Sequence, residues 1–193
     1  MSIEKLISSL AEREPHLKNA LSELSISQID DRDFACAAIS IAEDRVTLIL
    51  NKRKFDTLFS EEKIAVLAHE FGHMALGHLS NRSFPEHNRF IVSLAQDLPL
   101  NAGLAQAYKL PEWFVTANKL GLPEGLSTSQ YIPILDSIGV KKLSKLVKIP
   151  SIELDINIKK NQMVVKSVVD KIRLNPHLVI SKHTDNAGGG NIY

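Results

Sequence analysis

The segment Leu67-Ala68-His69-Glu70-Phe71-Gly72-His73-Met74-Ala75-Leu76-Gly77-His78 sets two histidines four residues apart inside an apolar run. On a helix of 3.6 residues per turn, positions four apart differ by about 40°, so the His69 and His73 imidazoles share a face and can reach one ion. Glu70, next along, can polarise a water on that ion. The flanking sequence agrees with a helix. Ser60-Glu61-Glu62-Lys63 supplies an N-cap and an acidic first turn, and Ile64, Leu67, Phe71 and Leu79 recur at helical spacing as a core-facing stripe. The capping box is incomplete, because Lys63 stands where Glu would.

A catalytic zinc site takes three protein ligands and keeps a fourth position open, lowering the pKa of its water toward about 7 and polarising a carbonyl. Two residues compete for the third ligand position. On a continuous helix His78 lies about 180° from His69 and about 140° from His73, so it reaches the site only if the chain breaks at Gly77. Its spacing also departs from the metzincin pattern, in which Gly and His follow the second ligand by three and six residues; here the offsets are four and five. Asp97 is the stronger candidate. It is the lone acid of the apolar segment Phe90–Asn101, where a buried-looking carboxylate needs a partner and a cation would be one. Asn101 follows at i+4 on the same face, placed to hydrogen-bond a ligand His or Asp97 itself. Pro99 should kink or end this helix at a local cost of about 3 kcal/mol, and the competing reading makes Asp97 the N-cap of a helix restarting at Pro99.

Together, Asn51, Ser60-Glu61-Glu62, the run from His69 to His78, Ala95-Gln96-Asp97-Leu98-Pro99-Leu100-Asn101 and Leu122-Pro123-Glu124-Gly125 resemble the metallopeptidase domain that precedes von Willebrand A-like domains, over roughly residues 30 to 135. The order in that family is a hairpin, an Asn, an active helix with His five residues after the second ligand, then an Ala-x-Asp-x-x-x-Asn helix. The resemblance implies a zincin fold with His69, His73 and Asp97 as metal ligands, Glu70 as general base, and His78 as a packing or supporting residue. The active helix alone is also similar to Ste24-like and ImmA-like peptidases, whose third ligand is usually Glu, so the Asp-x-x-x-Asn element decides the assignment. Two departures stand out: Pro99 occupies a position where the family carries a helix former, and about 60 residues follow the match, too few for a von Willebrand A domain. The expectation is a stand-alone or truncated version whose partner domain, if it has one, is a separate chain.

With 193 residues and 44% hydrophobic content, the chain can bury a core, and no apolar run approaches the 18 or so residues of a membrane span. The N-terminal residues lack the pattern of a signal peptide, which makes the cytoplasm the default. A single cysteine, Cys36, rules out an intrachain disulfide, and its neighbours Ala35, Ala37, Ala38 and Ile39 suggest a small buried hydrophobe. Residues 2 to 24 read as a helix with Pro15 as a kink or break. Residues 34–41 and 45–50 read as strands joined through Ala42-Glu43-Asp44 as a hairpin. The expected class is therefore α+β, a zincin-like domain with a small antiparallel sheet packed on the active helix and further helices. In zincins an edge strand of that sheet pairs with extended substrate. Between Lys109 and Ile138, Pro111, Gly121, Pro123, Gly125 and Pro133 punctuate short helical pieces. Trp113 and Phe114 there suit core packing more readily than a substrate pocket. Tyr108, Tyr131 and His87 are candidates for stabilising an oxyanion, with nothing to choose among them.

Charge divides the chain. Residues 141–193 carry ten Lys/Arg against four acids, whereas residues 1–140 carry thirteen against eighteen, an asymmetry that the overall charge of +1 hides. The expected organisation is a metallopeptidase domain over 1–140, a basic appendage over 141–182 and a disordered tail over 183–193. Ile152, Leu154, Ile156 and Ile158 alternate like a strand, Val164 to Ile172 suit helix or strand, and His177 and His183 read as solvated. The basic appendage docks on the acidic domain or stays solvated in the plainer account. Recruitment of nucleic acid is the sharper alternative, without aromatic interleaving or a recognised motif to support it. The expectation from the whole sequence is a zinc-dependent peptidase acting on a peptide or protein through a Glu70-activated, Zn²⁺-bound water. The alternatives are a non-catalytic binding module on the same scaffold, or a regulatory protease with one target.

Overall fold

Leu6, Ile7 and Leu10 recur on one face of the N-terminal segment and are buried, which defines α1 (Ile3–Arg13). The expected long helix breaks at Glu14, where Pro15 opens a 3-10 turn (Pro15–Leu17) leading into α2 (Lys18–Ser22). The computed structural model describes residues 1–32, 35–42, 45–79 and 84–147. Readings that fall on residues 33–34, 43–44, 80–83 and 148–193 lie outside them, including the start of the first expected strand, two residues of the hairpin loop, most of the basic appendage with the strand at 152–158 and His177, and the tail with His183.

Three strands form one sheet in the order β1-β3-β2, where β1 is Ser25–Ile29, β2 Ala37–Ala42 and β3 Arg45–Asn51. β2 and β3 pair antiparallel as the hairpin reading required, with Ile39 opposite Leu48. The sheet as a whole is mixed and not antiparallel, because β1 runs parallel to β3 with Ile26 opposite Leu48. That strand was hidden by composition. Ser25-Ile26-Ser27-Gln28-Ile29 is half polar, and its two serines are buried at 2% and 7% exposure, so it lacks the apolar alternation of a half-solvated strand.

After α3 (Lys52–Phe55), α4 runs over Ser60–Ala75 and carries the His69/His73 face. Its N-cap is Phe59 and not Ser60, and Glu62 reaches back to accept a hydrogen bond from the Phe59 N–H at 3.0 Å, supplying that half of a capping box. α5 spans Arg89–Leu104 without interruption at Pro99. The expected break therefore does not occur: the helix is held on both sides of Pro99 by buried Leu94, Ala95, Leu98 and Asn101, which offset the missing N–H. A second 3-10 turn (Asn118–Leu120) precedes α6 (Thr128–Ile138), which likewise contains Pro133, and α7 (Val140–Leu146) closes the described chain.

Two apolar clusters organise these elements. One joins α1, the sheet and α4, and takes in Tyr108 and Phe114 from the segment after α5. The other joins α5, α6 and α7 around Leu94, Leu98, Tyr131, Leu135 and Leu143. α4 and α5 meet along the seam between them, at Gly72: a β-carbon there would lie 2.6 Å from Leu100 Cδ1, so the missing side chain lets α5 come close. No helix among the described residues is long and apolar enough to cross a membrane.

Candidate metal centre

The helical spacing brings His69 and His73 together as expected: their Nε2 atoms are 2.9 Å apart. From α5, Asp97 Oδ1 lies 3.1 Å from His73 Nε2 and 3.7 Å from His69 Nε2. Asp97 is a mid-helix residue, so the reading of it as an N-cap fails. Among the described residues, His69, His73 and Asp97 make a group whose ligand atoms lie within 4.8 Å of one another and that can hold a metal ion. The side chain of Asp97 keeps 32% exposure against 13% and 15% for the two histidines, so the group opens to solvent on its carboxylate side.

Hydrogen bonds behind the histidines set which nitrogen faces forward. Asn101 Nδ2 donates to the Val115 carbonyl at 2.8 Å, which turns its Oδ1 toward His69 Nδ1 at 2.9 Å. An amide oxygen only accepts, so His69 carries its proton on Nδ1 and presents a lone pair on Nε2. His73 Nδ1 lies 2.9 Å from His78 Nδ1. The chain does break at Gly77, which adopts φ +69°, and the His78 N–H donates back to the His73 carbonyl at 2.9 Å. The break returns His78 to the site, but to the rear nitrogen of His73 and not to the ligand group. Burial, then the His73 charge, pushes the His78 pKa down to about 4, which leaves its ring neutral near pH 7 and able to accept from His73 Nδ1–H.

This donor set fits a divalent cation. Three lone-pair atoms facing one another repel unless positive charge lies among them, and tetrahedral ligands about 2.0–2.1 Å from zinc stand about 3.3 Å apart, a spacing that the three separations here bracket. Without an ion, burial opposes charge on His73, yet the hydrogen bond and charge of Asp97, with Glu70, raise its pKa overall, so a proton on His73 takes the place that a cation would fill.

Glu70 stands at the sheet. The Asn51 N–H bonds to the Cys36 carbonyl, and antiparallel pairs alternate, so the main-chain groups of Ala37 and Ile39 point away from β3, to the edge of β2 that no other described strand pairs with. There the Ile39 N–H donates to the Glu70 carboxylate. Burial raises the Glu70 pKa, and the neighbouring His69 and His73 offset part of the rise.

The proposed oxyanion candidates spend their polar atoms elsewhere. Tyr108 donates to Glu14 at 2.6 Å, Tyr131 donates to the Pro123 carbonyl at 2.8 Å, and His87 Nδ1 sits 2.7 Å from Asp136. Phe114 is buried and packs edge-on against His69, with ring centroids 4.9 Å apart. Sequence reasoning missed three parts of the site: the Val115 carbonyl, the Ile39 N–H and the Phe114 contact. The first two are main-chain groups without a sequence signature.

No family model, characterised protein or solved structure matches the chain.

Proposed function

We propose that this chain is a zincin-like, zinc-dependent metallopeptidase in which His69, His73 and Asp97 would hold the ion and Glu70 is the general base. The observation that carries the reading is the convergence of three possible ligand atoms on α4 and α5, with the Glu70 carboxylate next to them at the edge of β2. Two imidazoles and one carboxylate suit zinc among divalent ions. An ion held by His69, His73 and Asp97 would supply Lewis-acid polarisation of a peptide carbonyl and a lowered pKa for water.

The chain's own residues do the rest. Glu70 takes a proton from the attacking water as its oxygen bonds to the carbonyl carbon, then delivers that proton to the amine nitrogen as the C–N bond breaks. Burial raises its pKa, which makes the carboxylate a stronger base for taking that proton. Asn101 and His78 keep the ligand nitrogens facing forward. The edge of β2 beside Glu70 turns the main-chain groups of Ala37 and the Ile39 carbonyl toward the site, and an extended peptide entering there would pass the Glu70 carboxylate.

The test is hydrolysis of a quenched-fluorescent peptide library by zinc-reconstituted protein, comparing wild type with Glu70→Gln. Wild type should cleave, chelation should stop it, and Glu70→Gln should bind one zinc per chain while losing about 10²- to 10⁴-fold in rate. Wild-type rates from Glu70→Gln would remove Glu70 from its role. Stoichiometric metal with no cleavage of any peptide would move the reading to a non-catalytic binding module.

A further inference from the structure

Between the end of α4 and the C-terminal half of α5 the surface holds a groove of about 330 Å³. Leu76, which caps α4 and is 58% exposed, lines it together with Leu100, Gly103 and Leu104 of α5 and Ala107 just beyond. Glu14 is the one charged residue among those that line it. Leu100 also fills the space at Gly72, so the groove lies on the seam that brings α4 and α5 together. Gly103 marks the groove as more than a dent. Its backbone is ordinary helix with no left-handed φ, and a β-carbon on it would meet nothing within 4 Å. Neither conformation nor packing among the described residues requires a glycine there, and glycine costs helix stability relative to alanine. What it leaves is a flat floor that another chain segment can approach closely.

We propose that this groove docks the chain's own segment 152–158, which follows the described residues and lays Ile152, Leu154, Ile156 and Ile158 on the apolar floor. These four alternate with Glu153, Asp155 and Asn157, so an extended segment turns its apolar side chains to the groove and its acids away from Glu14. Lys159 and Lys160 come next and bring positive charge to a groove whose one charged lining residue is an acid. Reach agrees. Leu143 of α7 belongs to the apolar cluster that α5 lines, so the chain leaves α7 in the neighbourhood of α5. Residues 148–158 span up to about 36 Å when extended, against about 24 Å for the 16 residues of α5. A tethered segment also meets its groove at an effective concentration of about millimolar, which a free peptide or a second copy of the chain at micromolar concentration does not match.

The test is limited proteolysis of the full chain by trypsin, with cleavage after Lys159 and Lys160 followed by mass spectrometry. Cleavage tracks the undocked fraction. Gly103→Trp fills the groove without meeting the core, and should be cut at these bonds at least tenfold faster than wild type while its Tm stays within a few degrees. Leu154→Ser with Ile156→Ser, which changes the segment and leaves the groove as it is, should be cut as fast as Gly103→Trp. Gly103→Ala should stay close to wild type. Wild-type cleavage rates in the Leu154→Ser, Ile156→Ser chain would overturn the docking even if Gly103→Trp failed to fold. Equal rates in wild type and a folded Gly103→Trp would overturn it too. Protection in wild type that falls on dilution would give the groove to a second copy of the chain, and would overturn the assignment of the tethered segment.

Discussion

A histidine is a dependable metal ligand only when its rear nitrogen is engaged, and here the two rear nitrogens are engaged by unlike groups. His69 leans on Asn101, whose orientation is fixed by Val115; His73 leans on a third histidine, His78, which has no second anchor of that kind among the described residues. Asp97→Ala should therefore abolish stoichiometric zinc binding at micromolar concentration, whereas His78→Ala should only weaken it, by about 10- to 100-fold. Competition titration with a chromophoric chelator reads both, and an equal loss in the two variants would make His78 a ligand. Helical spacing made the shared face of His69 and His73 legible, and Asp97 stood out as the lone acid of an apolar segment, so the grouping of the three was readable before the fold. His78 read either as a third ligand after a break at Gly77 or, by the resemblance, as a supporting residue, and the left-handed turn at Gly77 decides for the rear of His73. Cys36 offers a separate check at this scale. Burial, with some help from the Glu70 charge, raises its pKa to about 11. The folded state thus holds the thiol proton more tightly than the unfolded chain, a contribution to stability that is complete below the unfolded pKa near 8.5–9 and lost as pH rises through 11. Since the thiolate is the nucleophile, iodoacetamide at pH 8 should modify the native protein about a hundredfold more slowly than the urea-unfolded chain. Equal rates would show that the thiol is not buried.

Between α4 and α5 the decisive feature is a missing side chain. Gly72 lies one turn beyond His69 and one residue before His73, and it faces Leu100, which sits between Asp97 and Asn101 on the opposing helix. Alanine here would meet only the movable end of Leu100, and it would gain about 1 kcal/mol of helix propensity. Leucine has no such room. Gly72→Leu should push the helices apart, cost about 1–3 kcal/mol by urea denaturation and weaken zinc binding at least tenfold, because the two helices bring different ligands. Unchanged affinity would mean that Asp97 does not depend on that close approach. The same pair shows why elements were only partly legible. The α4 stripe of Ile64, Leu67 and Phe71 is read at once from its period, and all three are buried. Pro99 argued for a break in α5, yet a helix packed between α4 and α6 follows its tertiary contacts and not the local cost of one proline. β1 escaped because buried serines on a parallel strand look, in sequence, like a turn.

At the scale of the whole molecule, the ligand group sits on the seam between two cores. His69 and His73 belong to the helix that packs with α1 and the sheet, and Asp97 to the helix that packs with α6 and α7. A cation held by all three would therefore join two apolar clusters, each of which already has its own packing. Binding to the folded chain alone adds RT ln(1 + [L]/Kd) to stability, about 4 kcal/mol at a thousandfold excess of free zinc over Kd. Thermal unfolding of the chelated and zinc-loaded protein, followed by far-UV circular dichroism, should show a rise in Tm that grows with free zinc and vanishes in Asp97→Ala. Glu70→Gln should show the full rise, because Glu70 supplies no ligand atom to the group. A zinc-dependent rise that persists undiminished in Asp97→Ala would place the stabilising ion somewhere other than this seam, and would separate metal binding from the union of the two cores.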